Sequence, residues 1–299
     1  MALSLVLKTF TAAGLAGTYL PSSFCSQDAQ IPPIALDSEP GRGIGVIATR
    51  LIPAGSIILK EEAILTVPDF PDKAITPDII TNLVEKYTNL PPAMRQQILG
   101  LYAHTRPVQD RTIRSFLIAG DSDFNLTGPQ VDFILRLHSS FATNAFEKTT
   151  PLTSSLYLGA SRFNHSCLPN CDSDHTLEGS LTTITVCSSR DIQPDEEITI
   201  SYLNIYDPRD QRQACTRLLW GFSCNCPACD TADPTVDTVV HEQRLAEYLQ
   251  LKQDSYLKMS ASARANVMSL KDLDEVLSRS TQRAQIAETL GDNYNVLRE

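Results

Sequence analysis

Three cysteines within six residues, Cys224, Cys226 and Cys229, have the spacing of metal ligands. Thiolates hold zinc tetrahedrally, so three sulfurs leave one position to fill, and a closed four-sulfur set is structural rather than catalytic. Upstream, residues 161–171 read Ser-Arg-Phe-Asn-His-Ser-Cys-Leu-Pro-Asn-Cys and bring an amide, an imidazole and two more thiols close together. Either Cys167 or Cys171 can supply the fourth sulfur. Residues 196–202, Glu-Glu-Ile-Thr-Ile-Ser-Tyr, form a strand-like run ending on Tyr202. The stretch Gly41-Arg42-Gly43-Ile44-Gly45 lets backbone approach a ligand closely. It is no dinucleotide fingerprint, because the third glycine is absent and no helical pattern follows. On its own it reads as a hairpin.

The elements that must position these residues are also visible. Residues 41–65 alternate short β-branched runs with Gly and Pro, the pattern of hairpin-forming strands. The period then changes. Thr76 can cap a helix that opens on Pro77 and aligns Ile79, Ile80, Leu83, Val84 and Tyr87. A second helix follows Pro91-Pro92, with Met94, Ile98, Leu101 and Tyr102 on one face, and a third starts near Pro129. Strand signals return at 181–187 and 197–201. Beyond a linker at 231–237 the spacing predicts two or three amphipathic helices over 238–299. The chain therefore divides into an N-terminal segment (1–37), a β-rich unit with a helical insertion at about 70–140 (38–205), a cysteine-rich segment (206–230) and a helical end (231–299).

Composition narrows the function. The chain has 299 residues, 42% of them hydrophobic, enough for a sizeable core. Its formal net charge of −10 argues against a general polyanion-binding surface and favours a Lys-rich peptide over nucleic acid as partner. No run of 18 apolar residues predicts a membrane span. Eight cysteines, crowded toward 167–229, fit a reduced compartment better than a disulfide framework, with Cys25, Cys187 and Cys215 as free thiols. Residues 1–24 carry only Lys8 as a cation and match neither a signal peptide nor a presequence, so they read as an N-terminal helix rather than a cleaved leader.

Taken in order, the Gly-x-Gly, Asn-His-Ser-Cys-x-Pro-Asn-Cys, Glu-Glu-Ile-Thr-Ile-Ser-Tyr and Cys-x-Cys-x-x-Cys blocks resemble the SET-domain protein lysine methyltransferases over about residues 38–230. Within them the chain is most similar to the SET-and-MYND group and its fungal-type relatives. It departs from that group in having no cysteine between Cys25 and Cys167, where a MYND zinc module would need several. A smaller departure is Asp195, where the family usually has glycine. The resemblance implies an α+β SET fold of small antiparallel sheets with a pseudoknot, and transfer of a methyl group from S-adenosylmethionine to a protein lysine. A histone tail is the default substrate. A non-histone protein, or a non-catalytic SET-like scaffold, are the rival readings. It implies that Asn164, the backbone of His165, Gly43, Ile44, Gly45, Asn144 and Phe222 hold the cofactor. Ser139-Ser140-Phe141 is an alternative to Asn144-Ala145-Phe146 in that alignment. Phe146, Tyr157 and Trp220 would line the lysine channel and Tyr202 would be catalytic. Cys167 would join Cys224, Cys226 and Cys229 around one zinc. The expected molecule is a monomer of the nucleus or cytoplasm that binds neither nucleic acid nor membrane.

Overall fold

A computed structural model describes residues 34–39, 43–68, 75–118, 126–149, 152–178, 181–265 and 269–290. The expected N-terminal helix over 1–24, together with Cys25, Gly41 and Arg42, lies outside these residues. Strict alternation builds the strands. In β9 (Leu181–Ser188) Thr182, Ile184, Val186 and Ser188 are buried while the residues between them are not. The other strands are β1 (Ile34–Glu39), β2 (Gly43–Ala48), β3 (Ile57–Glu62), β4 (Leu65–Pro68), β5 (Phe146–Thr149), β6 (Leu152–Leu156), β7 (Asn164–His165), β8 (Cys171–Glu178) and β10 (Glu197–Ile200). They form three small sheets, ordered β1-β2-β10-β7, β3-β9-β8 and β4-β6-β5.

One expectation fails here. β2 and β3 do not pair as a hairpin; β2 pairs with β1 and β10, and β3 with β9. The Gly/Pro stretch between them serves as a crossover. It is fixed by a bridge between Ile52 and Ile192 and by hydrogen bonds of Gly55 N and Ser56 N to Ser188. Local alternation specifies strands but not their partners, because pairing is settled by which apolar faces meet.

The helical insertion packs its own core. Helix α1 (Pro77–Thr88) starts as predicted, with Thr76 Oγ1 accepting from Ile79 N. Helix α2 (Pro92–Gly100) ends before Leu101, so Tyr102 is solvent-exposed rather than aligned. Helix α3 (Pro107–Ile118) is absent from the sequence reading, and α4 (Gly128–Asn144) opens on Thr127, whose N–H donates to Gln130. Ile80, Leu83, Val84, Ile98, Ile113 and Ile134 interlock between these helices. A separate core, with Val46, Ile58, Ile184, Val186, Ile198 and Ile200, fills the space between the first two sheets.

The C-terminal part contains α5 (Arg209–Trp220), α6 (Thr238–Ala265) and α7 (Leu270–Thr289). The last two meet at Leu245, Tyr248, Ala287 and Leu290, and Tyr248 stacks on Tyr206 at 4.0 Å. Among the described residues, no helix is long and apolar enough to cross a membrane.

Candidate active site

The site forms where two distant segments run side by side. β10 lies parallel to β7, pairing Thr199 with Asn164 and Ile200 with His165. Asn170 stitches the crossing: its Oδ1 accepts from Thr199 N at 2.8 Å and its Nδ2 donates to Glu197 O at 2.8 Å. The chain turns into β10 through Asp195, which takes a left-handed φ of 65°, a conformation that Asp tolerates and glycine would supply freely. Its N–H donates to Ala48 O, tying the turn to β2.

Above the crossing, Gly45 passes close to two side chains. A Cβ there would sit 2.6 Å from Glu197 Oε1 and 2.8 Å from Asn164 Nδ2, so a larger residue would have to displace that side-chain pair. Asn164 Nδ2 donates to that same Glu197 oxygen at 2.8 Å. Gly43, at φ 76°, takes a left-handed conformation that favours glycine at the start of β2. This side of the crossing is a glycine-walled cradle with an amide and a carboxylate at its base. The carboxylate and amide together suit a cationic amino group such as that of S-adenosylmethionine.

His165 turns its ring the other way. Its Nδ1 accepts from Tyr202 N at 3.1 Å, its Nε2 lies 3.3 Å from Cys167 Sγ, and its ring packs beside Tyr202 and Phe222. Burial lowers its pKa to about 4, which keeps it neutral. The imidazole thus couples the tyrosine to the cysteine cluster, leaving only the His165 backbone for a ligand.

Tyr202 donates its hydroxyl to Phe163 O at 2.6 Å. Burial raises its pKa well above the usual tyrosine value, so the group stays protonated. Its ring stands 5.2 Å from Trp220, whose Nε1 donates to Thr143 O. Beside both opens a cavity of about 400 Å³, with Asn144, Phe146, His175, Tyr202 and Trp220 on its wall.

Cys167, Cys224, Cys226 and Cys229 come together with their sulfurs all within 4.8 Å of one another. Cys167 Sγ is 3.6 Å from Cys229 Sγ and 4.0 Å from Cys224 Sγ. A tetrahedron of sulfurs around zinc, at about 2.3 Å per bond, has edges of roughly 3.8 Å, so the donor set fits this metal. Helix α5 braces the cluster. Arg209 Nε donates to Cys229 O, Gln213 Nε2 to Cys224 O, and the fully buried Arg212 is held raised in pKa by Cys167 and Glu242 against the opposing effect of burial. Arg212 sits where it offsets the negative charge of a four-thiolate site. Cys171 is elsewhere, buried in the sheet core with its thiol pKa pushed up by burial.

A model of the SET domain matches residues 43–203, more than half of the sequence. The chain belongs to the SET-domain family. Its sequence is similar to the histone-lysine N-methyltransferase SET5 of Meyerozyma guilliermondii, at 40% identity over 78 residues, which are 26% of this chain and 16% of that protein. It is similar to the SET domain and MYND-type zinc finger protein 6 of Schizosaccharomyces pombe, at 30% over 151 residues, 49% of this chain and 30% of that one. It also resembles the human histone-lysine N-methyltransferase SMYD3, at 31% over 105 residues, 34% of this chain and 24% of that one. The chain spans less than a third of the length of each of these relatives.

Within this SET domain most expected residues converge, and two do not sit as the sequence suggested. Asn144 reaches the cavity, but its Nδ2 is committed to Tyr102 O and Ser140 O, each at 2.7 Å. Its amide donors therefore tie the end of α4 to the segment after α2. Tyr157 is fully buried behind Phe146 and His175, a core residue with its pKa raised to about 12 by burial. Ser139, Ser140 and Phe141, the alternative alignment, are all buried within α4. Phe222 packs between His165 and the cysteine cluster. Sequence reasoning did not single out Glu197 as the partner of Asn164, nor Arg212, nor His175. The alternation of β8, which puts Ser173 and His175 on one face, is the signal that could have found the last.

Proposed function

We propose that this SET domain transfers a methyl group from S-adenosylmethionine to the side-chain amine of a protein lysine, with histone tails as the substrate class. The observation that carries it is the parallel crossing of β7 and β10, which joins the glycine cradle at Asn164 to the cavity at Tyr202 through the His165 ring. Asn164, Gly45 and the His165 backbone would hold the cofactor, which when bound supplies an electrophilic methyl on a sulfonium.

The chain's own residues have to manage the amine. A free lysine has a pKa of about 10.4, so holding it neutral near pH 7.4 costs about 4 kcal/mol. Desolvation beside Phe146 and Trp220 lowers that cost. Tyr202, kept protonated, orients the nitrogen lone pair by a fixed hydroxyl dipole instead of removing a proton. The net charge of −10 steers a basic tail to the site, and a nuclear location suits such a substrate. We further propose that the four cysteines hold one structural zinc that clamps Phe222 and Trp220 against the cavity.

Calorimetry with S-adenosylmethionine, followed by transfer of radiolabelled methyl to mixed histones and to whole lysate, tests this reading. Binding with label on histones is expected. Label on other proteins alone would move the substrate class, and no binding at all would reduce the chain to a scaffold.

A further inference from the structure

The cavity beside Tyr202 carries an imidazole that the reading above leaves without a task. His175 lies on β8 two residues after Ser173, so both side chains fall on one face of the strand and both line the cavity. Its ring stands 5.4 Å from that of Phe146 and 5.9 Å from that of Tyr157, and its Nδ1 is shielded from bulk water. The neighbouring acids of its own strand, Asp172 and Asp174, belong to the opposite face and act on Cys187.

Methyl transfer to lysine requires that an ammonium lose a proton first. The other groups on the wall are poorly suited to take it. Tyr202 is held protonated and committed to Phe163 O. The ring of His165 is turned away and occupied by Tyr202 N and Cys167. Glu147 is a weakly basic carboxylate that faces the Arg106 cation. Ser161, Ser173 and Ser201 are not bases at neutral pH. An imidazole has the basicity a proton acceptor needs at pH 7.

We propose that His175 is the proton acceptor for the substrate amine, an inference that rests on the lysine methyltransferase reading. The N–H bond of the bound ammonium breaks, and its electron pair stays on the amine nitrogen. The proton passes to a ring nitrogen of neutral His175 and from there to solvent. The titratable and charged groups on the cavity wall with His175 are Glu147 on β5, Tyr202 after β10, Cys215 on α5 and Arg106 before α3; Tyr157 packs against its ring, and Glu61 of β3 lies on the same sheet face, one strand beyond Ile184. A side-chain proton acceptor for the amine makes the rate rise with pH.

The test compares the full chain with His175→Phe, which fills the space, and His175→Asn, which keeps a hydrogen bond without the basicity. Transfer to a lysine peptide is measured from pH 6 to 10. If His175 is the acceptor, both variants lose about 100-fold in turnover at pH 7, and the loss shrinks toward pH 10, where lysine deprotonates unaided. Both retain cofactor affinity by calorimetry. In the wild-type chain, the His175 imidazole NMR signal, assigned by its disappearance in His175→Asn, shifts its titration when the peptide is added. A pH profile unchanged by either variant, full activity in His175→Phe or His175→Asn, or a His175 signal indifferent to peptide overturns the proposal. A wild-type chain that binds cofactor yet methylates no lysine at any pH overturns the methyltransferase reading itself, and this inference with it.

Discussion

A side-chain hydroxyl and a side-chain amide divide the chemistry of this site. In the proposed reaction Tyr202 would offer one polar atom to the substrate amine, and its ring packs against Trp220 and His165. Tyr202→Phe should therefore lower turnover by about 100-fold or more while leaving S-adenosylmethionine affinity within about threefold, as read by single-turnover methyl transfer and calorimetry. Asn164 lies beside Gly45, bonded to Glu197, where a methyl on the glycine would press on both side chains. Asn164→Ala should abolish measurable cofactor binding yet leave a cooperative thermal transition, since the side-chain bond it removes goes to a partly buried carboxylate, that of Glu197. Undiminished affinity would remove Asn164 from the binding machinery. Both residues were legible in the sequence because they sit in short, specific blocks. Glu197 and His175 were less so, because their significance depends on what crosses above or beside them.

Elements turn those residues into a site, and the cysteine cluster shows how. Its ligands come from the loop after β7 and the tail after α5, 57 residues apart at the Cys167 and Cys224 pair. Metal binding there joins two segments that already belong to a domain with its own core, so losing the metal should loosen the tail and not unfold the chain. Cys226→Ser is expected to keep the circular dichroism of the native protein, lose zinc by elemental analysis, expose residues 220–229 to protease and abolish methyl transfer. Cys171→Ser should keep its zinc, because that thiol is buried in the sheet core. Zinc lost from Cys171→Ser, or kept by Cys226→Ser, would redraw the ligand set. The choice between Cys167 and Cys171 was open in the local spacing. The turn at Leu168-Pro169-Asn170 decides it, sending Cys171 into β8 and leaving Cys167 beside the tail.

Over the whole molecule, separate cores are tied together at a few charged points. Arg212 bonds Asp207 O and Glu242, and so fastens α6 to the helix that braces the cysteines. Breaking a buried ion pair costs about 3–5 kcal/mol, but Glu242 keeps some water, so Arg212→Met should cost about 2–3 kcal/mol by chemical denaturation. Hydrogen exchange in α6 should rise before that of the β-sheets. The insertion carries a second titratable device. Burial and the nearby Arg106 lower the pKa of His138 to about 4, against about 6.5 unfolded. Between those values the unfolded chain binds the proton and the folded chain does not, so stability falls as pH drops from about 6.5 to 4, by up to about 3 kcal/mol. His138→Gln should flatten that stretch of the stability–pH curve. An unchanged slope would mean that the imidazole titrates freely in the folded protein.

What the amino-acid order determined by itself is local: strands from alternation at 181–188, a helix from the Thr76-Pro77 start, a metal set from the cysteine spacing, and the family from four blocks in sequence. These signals act over a few residues, where period, capping and ligand geometry suffice. What only the tertiary structure decided is adjacency. β2 and β3 belong to different sheets, Tyr157 lies behind the channel wall, the amide of Asn144 is spent on closing its helix, and His175 faces the same cavity as Tyr202. Each of these follows from which buried faces meet and which polar groups are then left to satisfy one another, and neither is written in any single stretch of chain.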